Sequence, residues 1–481
     1  MNLVLICTDQ QRRDGAGCCG NPAVETPRLD GLAAQGLRFD RAYVANPICM
    51  PNRMSMFTGC YPRNHGVWTN GLLAAPALPT LSHVLTDSGY ATGSVGKLHF
   101  MPYGDGDHGW ESAARWRRLA DDFDWSGPYG GFERVELSIG HTQAIAHYGR
   151  WFRERGGTDA MLARGRDETR PLPESLHDSV WVGERSAAFI RSHRERPFFL
   201  FASFPDPHHP FDPPESLAAK YAERDRAGDL PAPLGGPDDL KTRPPHYLQH
   251  FRGGWHRSGP VPEAHSDGPL PEVVRSRRAN TAAMIELIDR GVGAILDALD
   301  ECGLSEDTLV AFTSDHGELL GDHGLWYKGP FFYEGLVGVP LIVRGPGVRT
   351  GATNALVSTV DLAPTLLDAL GLPVPPSMDG VSILQHLRSP DARTRERCLI
   401  EYRNGYGEAD RAAMALVTDT LKYVRYQDGE CELTDLRVDP EERRNLGSDP
   451  AHQRTVQELE HTLLSEVLAT GARRPDQISH A

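Results

Sequence analysis

Several short stretches of this chain carry side chains that could do chemistry on an anion. Residues 49–66 read CMPNRMSMFTGCYPRNHG, in which Cys49 is followed by Pro51 and Arg53. Asp9 comes straight after an apolar run, and Asp315-His316 lie within Thr313-Ser314-Asp315-His316-Gly317-Glu318. Lys97 and His99 stand two apart, His208 sits in Pro207-His208-His209-Pro210, and Lys328 follows a short loop after His316. Carboxylates at strand ends are ligands that hard divalent cations prefer. Each piece alone has a plainer reading. The aspartates could be caps or turn residues, Cys49 a buried inert thiol, the lysines solvated. Occurring together and in this order, they read better as one site.

That site needs elements to hold it. Asn2–Thr8 and Phe198–Phe204 read as buried strands, as do residues 309–313 and 341–343, and Pro27–Gln35 opens like a helix. Between residues 281 and 299, Met284, Ile285, Ile288, Val292, Ile295, Leu296 and Leu299 recur at helical spacing. Alternating strands and helices predict a layered α/β domain, whose ligands belong just beyond the strand ends. In an extended segment Lys97 and His99 would point to the same side. Residues 215–275, rich in Pro, Gly and charge, read as a long surface insertion. Further on, 413–417, Leu421–Tyr426 and 432–436 predict a small antiparallel sheet, and 449–468 a final helix.

Composition narrows the partners. The 481 residues carry a formal charge of −15, which argues against nucleic acid. No run is long and apolar enough to span a membrane, and no leader pattern opens the chain, so a cytoplasmic location is expected. The eight cysteines show neither zinc-site nor disulfide spacing.

With Thr58-Gly59 and Tyr61-Pro62 downstream, the Cys49-Pro51-Arg53 stretch resembles the signature of the type I sulfatases, of the alkaline phosphatase superfamily. In that family the Cys becomes formylglycine, whose hydrated aldehyde is the nucleophile. The resemblance runs from Asn2 to about Leu446. It implies a catalytic α/β domain with a mixed central sheet flanked by helices (1–375), then a smaller domain built on a four-stranded antiparallel sheet (376–481). It implies that Asp9, Asp315 and His316 hold a metal with modified Cys49. Gln10, where many sulfatases have a second Asp, would be a neutral ligand, as in choline sulfatases and phosphonate monoester hydrolases. Arg53 would hold the formylglycine. Lys97, His208 and Lys328 would bind sulfate and assist departure of the alcohol, His99 would be the base that later expels sulfate, and Asn70 would line the substrate site.

Calcium is the metal expected first, with Mn²⁺ or Mg²⁺ as alternatives, because a His ligand also suits a transition metal. A formylglycine-generating enzyme is the implied partner, and a homo-oligomer is compatible. Asn52 departs from the usual Ser or Ala of the motif, and Cys60 from the usual Arg. The leading expectation is hydrolysis of a sulfate monoester: a carbohydrate, alkyl or choline sulfate. The alternatives are a phosphonate monoester or phosphodiester hydrolase on the same scaffold and, more remotely, a silent metal-binding protein with Cys49 unmodified. Residues 121–151 would wall the pocket. Trp125, Tyr129, Phe132 and Tyr148 there would either stack on a ligand or pack.

Overall fold

The computed structural model describes residues 1–74, 78–103, 106–119, 123–141, 143–163, 172–252, 264–265, 268–269, 271–389, 392, 395–404 and 411–470. Its main sheet contains β1 (Asn2–Thr8), β2 (Leu37–Tyr43), β3 (Ala91–Gly96), β4 (Arg134–Leu137), β5 (Phe198–Phe204), β6 (Thr308–Ser314), β7 (Gly338–Arg344) and β8 (Gly351–Ser358). The spatial order is β8-β2-β7-β6-β1-β5-β3-β4. Strand β7 runs against both its neighbours, while the other pairs are parallel.

Strand β1 is central, and its composition explains why. Leu3, Val4, Leu5, Ile6 and Cys7 are apolar without interruption, as a strand covered on both faces requires. Leu3, Leu5 and Cys7 enter a core shared with Met50, Met54 and Phe57 of the Cys49–Thr58 helix. Val4 and Ile6 enter the opposite core. There they meet Val182 and Ile190 of the Asp178–Ser192 helix, and Ile288, Val292 and Ile295 of the Pro271–Glu301 helix. Burying each such side chain fully is worth about 1.5–3 kcal/mol. A one-residue slip would exchange the two cores, so the register is strongly specified.

The helix expected over 281–299 is the middle of a longer one, Pro271–Glu301. The stretch 215–275, read as a surface insertion, carries regular structure of its own. This stretch contains the helices Glu215–Ala227 and Pro245–Phe251. The first seats Leu217 and Tyr221 against Ala279, Ala282, Ala283 and Ile285 of the long helix. With so few apolar residues on its packed face, its period is faint in the sequence.

The C-terminal sheet has the four strands expected: β9 (Arg397–Asn404), β10 (Arg411–Thr418), β11 (Leu421–Tyr426) and β12 (Cys431–Asp435), antiparallel in that order. The Gln453–Ala469 helix covers it, packing Val456, Leu459 and Leu463 on Leu399, Leu416, Tyr423 and Leu433. A charged joint ties the two sheets. Lys422 of β11 pairs with Glu334 at 2.9 Å and Glu442 at 2.6 Å, and Glu334 also receives Arg13 at 2.8 Å. Among the described residues, no helix is long and apolar enough to cross a membrane.

Candidate active site

The parallel strands deliver their polar residues at one edge. Asp9 and Gln10 follow β1, Lys97 follows β3, His141 comes after β4, His208 after β5, and Asp315-His316 after β6. Backbone bonds fix these exits: the Asp9 N–H donates to Asp206 O at 3.0 Å, and the Asp315 N–H to Thr8 O at 3.1 Å. Gly96, at φ 104°, lets β3 turn where a Cβ would run into the Ser203 carbonyl oxygen.

Cys49 is the first residue of the Cys49–Thr58 helix, and all of that helix is buried. Asn70 satisfies an orphan donor at its start: Oδ1 accepts the Met50 N–H at 3.0 Å. Ligand atoms of Asp9, Cys49, Asp315 and His316 lie within 4.8 Å of one another. Cys49 Sγ is 3.1 Å from His316 Nε2 and 2.7 Å from Lys328 Nζ. Lys328 Nζ also reaches His316 Nε2 at 3.0 Å, His208 Nε2 at 3.1 Å and Gln10 Oε1 at 3.2 Å. Opposite, Lys97 Nζ contacts Asp9 Oδ2 and lies 3.2 Å from His141 Nε2.

The charges in this pocket shift one another. Burial pushes the Asp9 carboxyl up, but Lys97, His141 and Arg53 hold it well below the usual range. Asp315 goes the other way, raised by burial and by the charge of Asp9. Burial and Asp9 push the Cys49 thiol up, yet Lys328, Lys97 and His316 outweigh them and bring it to about 5. His208 is held below its ordinary value by burial, then by His141, His209 and the two lysines.

Arg53 is the central tie. Its Nε donates to Asp315 Oδ2 at 2.7 Å, while Nη1 donates to Lys97 O at 2.8 Å and Ser203 Oγ at 2.9 Å. Its Nη2 has no hydrogen-bond partner among the described residues. Asn52, the departure from the motif, faces the framework. Its Oδ1 accepts the Ala45 N–H at 2.9 Å and the Thr359 hydroxyl at 2.6 Å, and its Nδ2 donates to Asp315 O. Gln10 donates its N–H to Asp315 Oδ1 at 3.0 Å, and its side-chain nitrogen contacts Glu318 and His209.

The shared-side geometry expected for Lys97 and His99 is corrected. Strand β3 ends at Gly96, and His99 has a φ of 59°, so strand alternation does not extend to it. Its imidazole Nδ1 is buried without a hydrogen-bond partner. Burial, Lys97 and Arg53 lower its pKa well below the ordinary value, which keeps it neutral.

His141 escaped the sequence reading. Its ring stacks on His208 at 3.5 Å, with planes 6° apart, and its Nε2 lies 3.7 Å from Asp9 Oδ2. It belongs to no motif. Only recognising the short β4 as one more parallel strand would have pointed to the loop after it.

The family model described as sulfatase matches residues 1–372, and the one described as the C-terminal region of N-sulphoglucosamine sulphohydrolase matches 321–468. The chain belongs to the sulfatase family. It is 30% identical to an arylsulfatase of Clostridium perfringens, covering 97% of this chain and 94% of that protein. It is also 30% identical to a choline-sulfatase of Rhizobium meliloti, over 93% and 83%. A solved phosphonate monoester hydrolase of Agrobacterium radiobacter superposes with a TM-score of 0.80 at 26% identity, covering 98% of this chain and 100% of that one. In this sulfatase-family chain the aromatic residues of 123–151 mostly pack. Phe132 and Tyr148 are buried, Trp125 stacks on Trp110 at 3.7 Å, and Tyr129 donates to Glu111 at 3.0 Å. Asp121, at the start of the expected pocket wall, lies outside the described residues.

Proposed function

We propose that the protein is a sulfuric ester hydrolase that uses formylglycine at position 49 and a divalent metal to cleave a sulfate monoester. The observation that carries this reading is the place of Cys49, among Lys328, His316, Asp9 and Asp315 at the carboxyl edge of the sheet. Its Sγ stands where the nucleophilic oxygen of the modified residue would lie. The donor set fits a hard cation: two buried carboxylates share the pocket, and Asp9 Oδ1 accepts no hydrogen bond. Asp9, Asp315 and His316, with residue 49 and the Gln10 amide oxygen, would hold it. Calcium suits the carboxylates, and Mn²⁺ suits the His. A bound ion would lower the pKa of the nucleophile and offset charge on the transferred group. Oxidised to a hydrated aldehyde by a formylglycine-generating enzyme, residue 49 would supply one hydroxyl as nucleophile and a second whose deprotonation releases sulfate.

The chain's own residues supply the rest. Lys97 and Lys328 place two ammonium groups where an anionic group would sit, a preorganised field that acts mainly on the transition state. His208, neutral and hydrogen-bonded to Lys328, can relay a proton toward the departing alcohol. His99, also neutral, is the base of the second half-reaction. Arg53 fixes Asp315 and the exit of β3, and its free Nη2 is available to the modified residue. Asn70 holds the helix start from which residue 49 projects.

The test pairs aldehyde-specific labelling of the peptide containing Cys49 with turnover of 4-nitrophenyl sulfate. Activity that scales with aldehyde content supports the reading. Full conversion without turnover of any ester removes it in favour of a silent, metal-binding protein. Gln10 in the metal pocket favours one second reading, a phosphonate monoester hydrolase. Faster turnover of a phenylphosphonate ester than of the sulfate, by orders of magnitude, would select it. A panel of carbohydrate, alkyl and choline sulfates would then identify the alcohol.

A further inference from the structure

His99 is asked to take a proton in a fixed place, yet among the described residues its imidazole Nδ1 has no hydrogen-bond partner that would orient it. Its position must therefore come from its backbone. That backbone is in the left-handed region, at φ 59°, where a residue with a Cβ needs outside support. The support is one carboxylate. Glu111 Oε2 accepts the His99 N–H, and Oε1 accepts the N–H groups of Phe100 at 2.9 Å and Met101 at 3.0 Å. Tyr129 adds its hydroxyl to Oε1 at 3.0 Å. Three successive N–H groups converging on an anion around a left-handed residue form a nest.

Glu111 is buried, and among the described residues no lysine or arginine pairs with it. Burial pushes its carboxyl up to about 7, against the donors of Phe100, Tyr129, His99 and Met101. A buried acid without a counter-charge is unfavourable unless its acceptor capacity is used. Here every partner except Tyr129 belongs to the segment that carries the base. No aliphatic residue could hold that turn, because three buried N–H groups would be left without acceptors.

We propose that Glu111 is the positioning residue for His99: its carboxylate locks the 99–101 turn and thereby sets where the base stands. The proposal rests on the reading of His99 as base of the second half-reaction. It predicts a lesion confined to that half. Glu111→Ala and Glu111→Gln, matched to wild type in aldehyde content, are mixed with 4-nitrophenyl sulfate in a stopped-flow instrument. The expected result for Glu111→Ala is a burst of 4-nitrophenol followed by a slow steady state. Its kcat should fall roughly 100-fold, the scale of a lost general base, with KM falling in parallel and kcat/KM nearly unchanged. Glu111→Gln keeps one acceptor oxygen and should fall between. Glu111→Ala/His99→Ala should be no slower than His99→Ala, since both remove one function.

Loss of kcat/KM without a burst, or additive losses in the double variant, would overturn the proposal and leave Glu111 a purely structural residue. A crystal structure of Glu111→Ala gives an answer that needs no activity. The proposal expects the 99–101 turn to relax and the ring to leave its place. It is wrong if His99 keeps φ near 59° with its ring unmoved. Failure of the sulfatase reading looks different: wild type itself, fully converted, would release no 4-nitrophenol.

Discussion

Asn52 is the residue on which the motif and the structure can be set against each other. Replacing it by Ala removes three buried hydrogen bonds: from Ala45 N–H, from the Thr359 hydroxyl and to Asp315 O. The Ala45 N–H keeps a second acceptor, Thr359 Oγ1 at 2.9 Å. Two groups are then stranded, the Thr359 hydroxyl hydrogen and the Asp315 carbonyl. A buried polar group left without its partner costs about 1–3 kcal/mol, so Asn52→Ala, which strands two, should destabilise by about 2–6 kcal/mol. Asn52→Ser retains a hydroxyl, but one too short to span Ala45 and Asp315 together, and should lose about 1–2 kcal/mol. A chain of this size is best compared by its unfolding rate. If the lost bonds are also absent from the unfolding transition state, Asn52→Ala should unfold at least roughly 30-fold, and up to roughly 25,000-fold, faster in guanidinium. Aldehyde content at Cys49, measured on the same preparations, should be unchanged, because Cys49, Pro51 and Arg53 are kept and the bonds of Asn52 form only on folding. The reasoning is refuted if Asn52→Ala unfolds at the wild-type rate while conversion of Cys49 changes severalfold.

Three further outcomes follow from the charges. Burial raises the Glu334 carboxyl, but Lys422 and Arg13 outweigh it and hold it at about 2, against an ordinary 4.5. A group lowered on folding stabilises above its unfolded pKa and loses that contribution as pH falls through its folded one. Glu334 should therefore add about 3 kcal/mol above pH 4.5, lost progressively toward pH 2. Glu442, raised chiefly by burial, offsets part of this. Unfolding rates between pH 5 and 2.5 should steepen accordingly, and far less so in Lys422→Met. Chelation should leave Asp9 and Asp315 repelling each other, so scanning fluorimetry should show a lower midpoint that Ca²⁺ or Mn²⁺ restores, with no such shift in Asp315→Asn. Because burial and Lys97 lower the pKa of His99, the acid limb of kcat should lie below pH 6.5. A limb at or above that value would mean that His99 is not the base.

Much of this was legible beforehand, for definable reasons. Asp9, Asp315 and His316, which the structure brings together, stood out because they come at the ends of apolar runs that read as buried strands. Lys97 and Lys328 stood out by their order along the chain. Strand β2 was not found: Arg38, Asp40 and Arg41 alternate with its buried residues and leave little apolar run. His141 and Glu111 were missed for another reason. Both sit on loops without a spacing rule, and their roles come from what the sheet brings beside them. Side-chain direction was also out of reach. Asn52 and Asn70 were read from a motif, but only the packed structure sets which backbone groups they serve.

The burial of the whole Cys49–Thr58 helix bears on when the nucleophile can be made. An enzyme that grips the residues around Cys49 as an extended peptide finds none of them accessible once the sheet has closed over them. If residue 49 becomes formylglycine as proposed, oxidation of that thiol would belong to the interval between synthesis and folding. A molecule that missed that interval would keep its thiol for life, since repair would require unfolding the central core. The active fraction of any preparation would then be a record of a race at birth, set by how fast the chain folds relative to how fast it is oxidised. Slowing folding, by temperature or by co-produced chaperones, should raise that fraction without changing a single residue.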